Sequence, residues 1–343
     1  MIKLVCLSDL HLGEGESMIH HLFPEAVDRV VRRVREMAGR TNEVDHFVLL
    51  GDTLDYSEAT VAQAKEEFAA FKEALTSGLG ARVKQFHLVI GNHDHRLLDL
   101  VCGGDTKALL AHLSADSNEH GTAAIPLDGP EFDRAEIKAL FGSDAVSLHY
   151  PNFEYHDAST KRLYLFTHGD LFGESVLKLG RVRHPLEPPS KADSVAELVR
   201  RSWDVIKLIW WETRFEAREE MYELLRSNEH HIFQAKGEKR LKRYLLDVSH
   251  YRKRWEKLEN PQLHFVFGHT HDAFHRFFET SPVDGVGPVR VYNTGGWLVT
   301  GHDFHPHTSM FVIDSRGNRY HENLFFDIPY ERDRWNATWE NRH

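Results

Sequence analysis

Seven side chains that can bind a metal ion follow short apolar runs in this sequence. In chain order they are Asp9, His11, Asp52, Asn92, His168, His269 and His271. Imidazole nitrogen combined with carboxylate and amide oxygen suits Mn, Fe, Zn or a similar divalent ion, and not a soft thiolate site. Seven ligands are too many for one tetrahedral ion, so the set predicts two ions that share a bridging carboxylate.

A single Asp or His at the end of a strand is more often a hydrogen-bonding loop residue than a ligand. The whole set is more specific, because it recurs at five strand exits. Two ions about 3.5–4 Å apart clamp the attacking and leaving oxygens of an in-line displacement at phosphorus, and a metal-bound water with a pKa of about 7 supplies hydroxide. The ligands therefore predict hydrolysis of a phosphate ester.

Strand and helix patterns indicate how these distant residues meet. Apolar runs predict strands over Ile2 to Ser8, His46 to Leu50 and Phe86 to Ile90, with helices from about Pro24 to Met37 and from Thr60 to Leu75. This β-α-β-α-β order favours an α/β sheet with right-handed crossovers. Such sheets bind their ligands at the carboxyl ends of the strands.

Further strands are predicted over 163–166, 263–267 and 289–293, and a closing hairpin over 309–314 and 319–326. We expect the five ligand-bearing strand exits to be consecutive. Residues two apart in an extended chain point to the same side. Asp9 with His11, and His269 with His271, are therefore each expected to grip one ion.

The composition is that of an acidic globular protein. The formal net charge is -10, with 41% hydrophobic and 27% charged residues. This balance disfavours nucleic acid as a partner. The two cysteines, Cys6 and Cys102, lie far apart and imply no disulfide framework. No signal peptide and no apolar run of roughly 18 residues is evident in the sequence, so we expect a cytoplasmic protein.

The chain resembles the calcineurin-like metallophosphoesterase family in five motifs, which occur in order. They are Asp9-Leu10-His11, Gly51-Asp52, Gly91-Asn92-His93-Asp94, His168-Gly169-Asp170 and Gly268-His269-Thr270-His271. The resemblance implies a four-layer αββα sandwich with a dinuclear metal centre. By position, it implies that one ion is held by Asp9, His11, Asp52 and His271, and the other by Asp52, Asn92, His168 and His269.

The resemblance also assigns catalytic roles to His93 and Asp94. His93 is expected to meet the phosphate and give a proton to the leaving oxygen, and Asp94 to orient His93. A histidine tuned near pH 7 can supply that proton, and a carboxylate beside it can fix its tautomer. The predicted activity is hydrolysis of a small phosphomonoester or phosphodiester by a metal-bound hydroxide, with Mn the metal expected to support it in vitro.

The predicted organisation has three parts. Residues 1–170 and 261–330 would form the sandwich, 171–260 a helical insertion or cap, and 331–343 a C-terminal tail. The insertion is the candidate for setting the substrate. Its basic groups would reach a second phosphate or an acidic headgroup, or else lie solvated on the surface; they are Arg181, Arg183, His184, Arg200 and Arg201.

Other functions stay open at this stage. The apolar stripe of Trp203, Ile206, Ile209, Trp210 and Trp211 either packs on the core or forms an acyl-chain groove or membrane-surface face. The second interpretation fits the related UDP-diacylglucosamine pyrophosphohydrolases of the lipid A pathway, which typically carry arginine where this chain has His93. A catalytically inactive scaffold that binds a protein partner is a further alternative, which the complete ligand set disfavours.

Overall fold

A computed structural model describes residues 1–15, 17, 25–39, 43–79, 83–172, 174–208, 237–245, 262–271, 274–278, 289–297 and 308–325. The strands of these regions are β1 (Ile2–Leu7), β2 (Val44–Leu50), β3 (Val83–Val89), β4 (Val146–His149), β5 (Asn152–Asp157), β6 (Arg162–Thr167), β7 (Gln262–Phe267), β8 (Phe274–Phe278), β9 (Val289–Asn293), β10 (Ser309–Asp314) and β11 (Arg319–Asn323). The helices are α1 (Ala26–Ala38), α2 (Val61–Leu79), α3 (His95–Val101), α4 (Lys107–Ser114), α5 (Ala135–Phe141), α6 (Glu174–Arg183), α7 (Val195–Lys207) and α8 (Gly237–Arg243).

The strands form two sheets. The first has the order β11-β10-β1-β2-β3-β4, and the second has the order β5-β6-β7-β9-β8. Strands β1 to β4 are parallel, and β10 and β11 continue that sheet antiparallel. Strands β6, β7 and β9 are parallel, with β5 and β8 antiparallel at the edges. Ligand sites at carboxyl ends are therefore available in both sheets.

The two sheets pack face to face through one apolar layer. Alternate residues of each strand point into this layer, as the period of two requires. Its buried members are Leu4, Cys6, Val48, Leu50, Val89, Phe153, Tyr164, Phe166, Val266, Tyr292, Phe311 and Ile313.

Helices cover the outer faces of both sheets. In α1 the spacing of Val27, Val30, Val31 and Val34 places one buried stripe against the first sheet. On the second sheet, the rings of Phe172 and Tyr244 lie near that of Phe265. The result is the four-layer αββα arrangement that was expected.

The structure differs from the sequence-based expectation in several elements. Strands β4 and β5 lie between β3 and β6, so the ligand-bearing strand exits are not consecutive. These strands, together with β8, α3 and α5, were not predicted; α3 and α5 have only 7 residues each, too few for a clear helical period. The predicted tail and much of the predicted insertion lie outside the described residues. Within the described residues, no helix is long and apolar enough to span a membrane.

Candidate metal centre

The residues predicted as ligands meet where the carboxyl ends of both sheets come together. Strands β1, β2 and β3 deliver Asp9, His11, Asp52 and Asn92 from the first sheet, and β6 and β7 deliver His168, His269 and His271 from the second. Most of these side chains are buried, and His269 and His271 are half-buried. A site between two sheets explains why residues up to 262 positions apart in the chain become neighbours.

Three groups of described side chains have the spacing of metal ligands, and two of them consist of predicted ligands; the third is His11, Asp55 and His93. Asp9, His11 and His271 place one ligand atom each within 4.8 Å of one another, and Asp52, His168 and His269 do the same. The amide oxygen Oδ1 of Asn92 lies 2.9 Å from Nε2 of His168 and so adds an oxygen to the second group.

The carboxylate of Asp52 lies between the two groups. Its Oδ2 is 3.0 Å from Nε2 of His168 and 3.9 Å from Nε2 of His11. Its Oδ1 accepts a hydrogen bond from the backbone N–H of His93 at 2.8 Å, which fixes the carboxylate plane. Asp52 therefore has the position that a bridging carboxylate needs.

The buried carboxylates and imidazoles of the site shift one another's pKa values. Burial would raise the pKa of Asp52, but His168 and His93 hold it well below its usual range. In turn, burial would lower the pKa of His168, but Asp52 raises it to about 10. In the first group burial lowers the pKa of His271, so its ring is neutral at pH 7, and its Nε2 lies 3.3 Å from that of His11. Carboxylate oxygens beside imidazole nitrogens that face each other are donors that divalent ions accept, and an ion bound at His168 would take the place of its proton.

Five of the candidate ligands adopt a left-handed backbone conformation, which is rare outside glycine. Their φ angles are +54° at Asp9, +48° at His11, +47° at Asp52, +66° at His269 and +53° at His271. Such conformations cost about 1–3 kcal/mol each and cluster at functional sites. The strained turns aim each side chain into the gap between the sheets.

Two glycines leave room for the carboxylates. A Cβ atom on Gly91 would overlap the carboxylate of Asp52, and one on Gly268 would overlap that of Asp9. The glycine in each motif is therefore required by the close approach of a ligand from another strand.

Asp55 is a site residue that the sequence analysis missed. Its Oδ2 lies 2.7 Å from Nδ1 of His93 and 2.9 Å from Nδ1 of His11. Its Oδ1 accepts a hydrogen bond from the hydroxyl of Ser57 at 2.7 Å. The available signal was a second acid three positions after Asp52, between the apolar residues Leu54 and Tyr56.

The expectation that Asp94 orients His93 is wrong, because the Asp94 carboxylate is turned towards the backbone. Its Oδ1 accepts the N–H of Leu54 at 2.7 Å, and its Oδ2 accepts those of Thr53 and Gly91 at 3.2 Å. Asp94 thus fastens the turn after β2 to the turn after β3. Burial, with Asp52 nearby, raises its pKa to about 7.

The expectation that each pair of ligands two positions apart grips one ion holds for one pair only. Asp9 and His11 share a group, but His269 belongs to the second group and His271 to the first. All four residues have positive φ, so the extended geometry behind that expectation is absent.

The described part of the apolar stripe in the helical region packs on the core. Trp203 and Ile206 are buried, and the Trp203 ring lies 4.4 Å from that of His95. The other members, Ile209, Trp210 and Trp211, lie outside the described residues. Arg200 and Arg201 both bond Glu197, so they are engaged in surface ion pairs.

Comparisons with known proteins identify a family. The family model for calcineurin-like phosphoesterases matches residues 2–273. A comparison with curated proteins finds no match. Among solved structures, the chain is similar to a dimetal phosphatase from Danio rerio, with 13% sequence identity over 93% of this chain and 97% of that chain, and a TM-score of 0.38.

Proposed function

The chain belongs to the calcineurin-like phosphoesterase family, and from this we propose that it is a dinuclear metal-dependent hydrolase of small phosphomonoesters or phosphodiesters. The observation that carries the proposal is the position of Asp52. Its Oδ2 lies between an imidazole of each group, 3.0 Å from His168 and 3.9 Å from His11.

One ion would be held by Asp9, His11, Asp52 and His271, and the other by Asp52, Asn92, His168 and His269. When bound, two divalent ions withdraw charge from the phosphoryl oxygens and lower the pKa of water. The nitrogen and oxygen donors suit Mn, Fe or Zn. We propose Mn as the metal for assays in vitro.

His93 would act as the proton donor to the leaving oxygen. Its Nδ1 faces Asp55 at 2.7 Å, so that nitrogen carries a proton and Nε2 is the atom that can hold or give the second one. Burial lowers the pKa of His93, but the carboxylates of Asp55 and Asp52 outweigh it and raise the pKa. The raised pKa favours the protonated ring that a general acid needs.

The acidic character of the whole chain favours a small substrate over a nucleic acid. With a formal net charge of -10, the protein would repel a polyanion at long range. A small phosphoester needs only the local positive charge that bound ions and His93 supply.

The test is hydrolysis of p-nitrophenyl phosphate and of bis-p-nitrophenyl phosphate by Mn-loaded protein. We expect turnover of at least one ester, its loss on chelation, and its recovery when Mn is restored. Asp52→Asn should abolish turnover and weaken the binding of both ions. Fully metallated protein that hydrolyses neither ester would refute the proposal.

A further inference from the structure

A cluster of positive charge lies at the end of the sandwich opposite the metal centre. Arg162 begins β6 and Arg319 begins β11, whereas the ligands follow the carboxyl ends of the strands. Arg290 lies near the start of β9, which is parallel to β6 and β7. All three side chains are part-exposed, so they border solvent at the mouth of the layer between the sheets.

The strand register brings this cluster together. Tyr164 pairs with His264 on the next strand, and His264 pairs with Arg290 on the one after. Neighbouring strands are about 4.8 Å apart, so these three side chains form one row. The rings of Tyr164 and His264 stack at 4.7 Å. From the other sheet, Nη1 of Arg319 lies 3.0 Å from Nε2 and 3.2 Å from Nδ1 of His264.

The contacts of Arg162 and Arg319 within the described part of the chain are to carbonyl, amide and ring groups. Arg162 donates to the carbonyl of Gly317 and to the side-chain oxygen of Gln262. In the described regions, neither arginine forms an ion pair with a carboxylate. Burial lowers the pKa of Arg319, and the nearby charges of Arg162 and Arg290 lower it further. Arg162 and Arg319 therefore bring two positive charges that no carboxylate of the described residues balances.

A nearby acid is already engaged. Asp157 accepts bonds from Lys3 at 2.8 Å, from Ser159 at 2.6 Å and from Thr160 at 2.9 Å. Burial would raise the pKa of Asp157, but these partners outweigh burial and lower it to about 2. It contributes one negative charge, and Lys3 balances that charge.

We propose that Arg162 and Arg319, beside Arg290, form a binding site for a tetrahedral oxyanion of the phosphate class, separate from the metal centre. Guanidinium groups present paired N–H donors that match phosphate oxygens, and those of Arg162 and Arg319 come here from the two different sheets. An anion would offset the repulsion between the arginines and tie β11 to β6 and β9. The site goes beyond the proposed phosphoesterase activity and does not depend on it.

The test is equilibrium dialysis of the full-length, Mn-loaded chain with labelled inorganic phosphate. Arg319→Gln and Arg162→Gln are compared with Arg316→Gln, which removes an exposed arginine from the same hairpin. We expect wild type and Arg316→Gln to bind one more phosphate per chain than the other two variants, or to bind it at least about tenfold more tightly. Methylphosphonate in place of phosphate tests whether the site also takes a substituted phosphoryl group.

Phosphate bound at the metals remains in all four proteins, so the difference between them reports the arginine site alone. Arg319→Lys keeps the positive charge but loses the paired N–H donors of the guanidinium group, so this variant should bind phosphate with intermediate affinity. Equal stoichiometry and affinity in wild type, Arg319→Gln and Arg162→Gln would overturn the proposal. The assay needs no turnover, so its outcome is independent of whether the esters are hydrolysed.

Discussion

The carboxylate of Asp55 holds the ring of His93, with Oδ2 2.7 Å from Nδ1. The same oxygen lies 2.9 Å from Nδ1 of His11. One buried carboxylate thus connects the proposed proton donor with a proposed metal ligand, and it fixes both rings with their Nε2 atoms turned away from it.

Replacing Asp55 with Asn should therefore lower both the turnover rate and the affinity for Mn. At saturating Mn we expect kcat to fall about 100-fold or more, because His93 loses the charge that keeps its proton. We also expect Mn affinity to fall about 10–100-fold, because His11 loses its orienting partner. Both are measured by assaying turnover across a Mn titration. Asp105→Asn, an exposed change, is the control, and wild-type values for Asp55→Asn would exclude this role.

Replacing His93 with Gln should reduce turnover according to the leaving group. The loss should be about 10²–10⁴-fold for phenyl phosphate, whose leaving group needs a proton, and at least about tenfold smaller for p-nitrophenyl phosphate. Mn binding should stay close to wild type, because the backbone N–H that bonds Asp52 is kept. Equal losses with the two esters would argue against proton donation by His93.

Replacing Gly91 with Ala should disturb the metal centre without touching a ligand. The new Cβ would overlap the carboxylate of Asp52, which must move. We expect a loss of unfolding free energy of about 1–3 kcal/mol and weaker Mn binding. Gly15→Ala is the matched control, because a Cβ there meets nothing within 4 Å. Denaturant unfolding and a Mn titration of both variants decide the matter; a Gly91→Ala chain indistinguishable from the control would show that the space is not needed.

A chain of three histidines between the sheets predicts how stability depends on pH. Nδ1 of His46 lies 3.0 Å from Nε2 of His87, and Nδ1 of His87 lies 3.1 Å from Nε2 of His149. Burial lowers the pKa of His87 to about 2, and burial also lowers that of His149 to about 4. Both rings are therefore neutral in the folded protein.

Because these folded-state pKa values lie below the unfolded value of about 6.5, the unfolded chain takes up protons first as the pH falls. The contribution of these two rings to the free energy of unfolding is fully present above pH 6.5. Below that pH it should decrease by about 1.4 kcal/mol per pH unit for each histidine. Denaturant unfolding between pH 7.5 and 5 measures this slope. His87→Phe should reduce the slope by about one proton, whereas His156→Gln, at an exposed position, should not; identical slopes in all three proteins would contradict the account.

Much of the candidate site could be predicted from residue types and local pattern. Apolar runs predicted the strands that carry ligands, because a buried parallel strand has a nearly continuous hydrophobic sequence. Valine spacing located α1. The motifs placed the chain in its family, which the match over residues 2–273 confirms. These features depend on residues that are close together in the chain, so they can be predicted from the sequence alone.

The partners of each side chain were decided by the tertiary structure. His269 and His271 are two positions apart yet belong to different groups, because left-handed turns redirect them. Asp55 holds His93, the role that the resemblance gave to Asp94, whereas Asp94 bonds the backbone of the turn after β2. Side-chain direction depends on φ and on the path of neighbouring strands, and neither is encoded in the order of residue types alone.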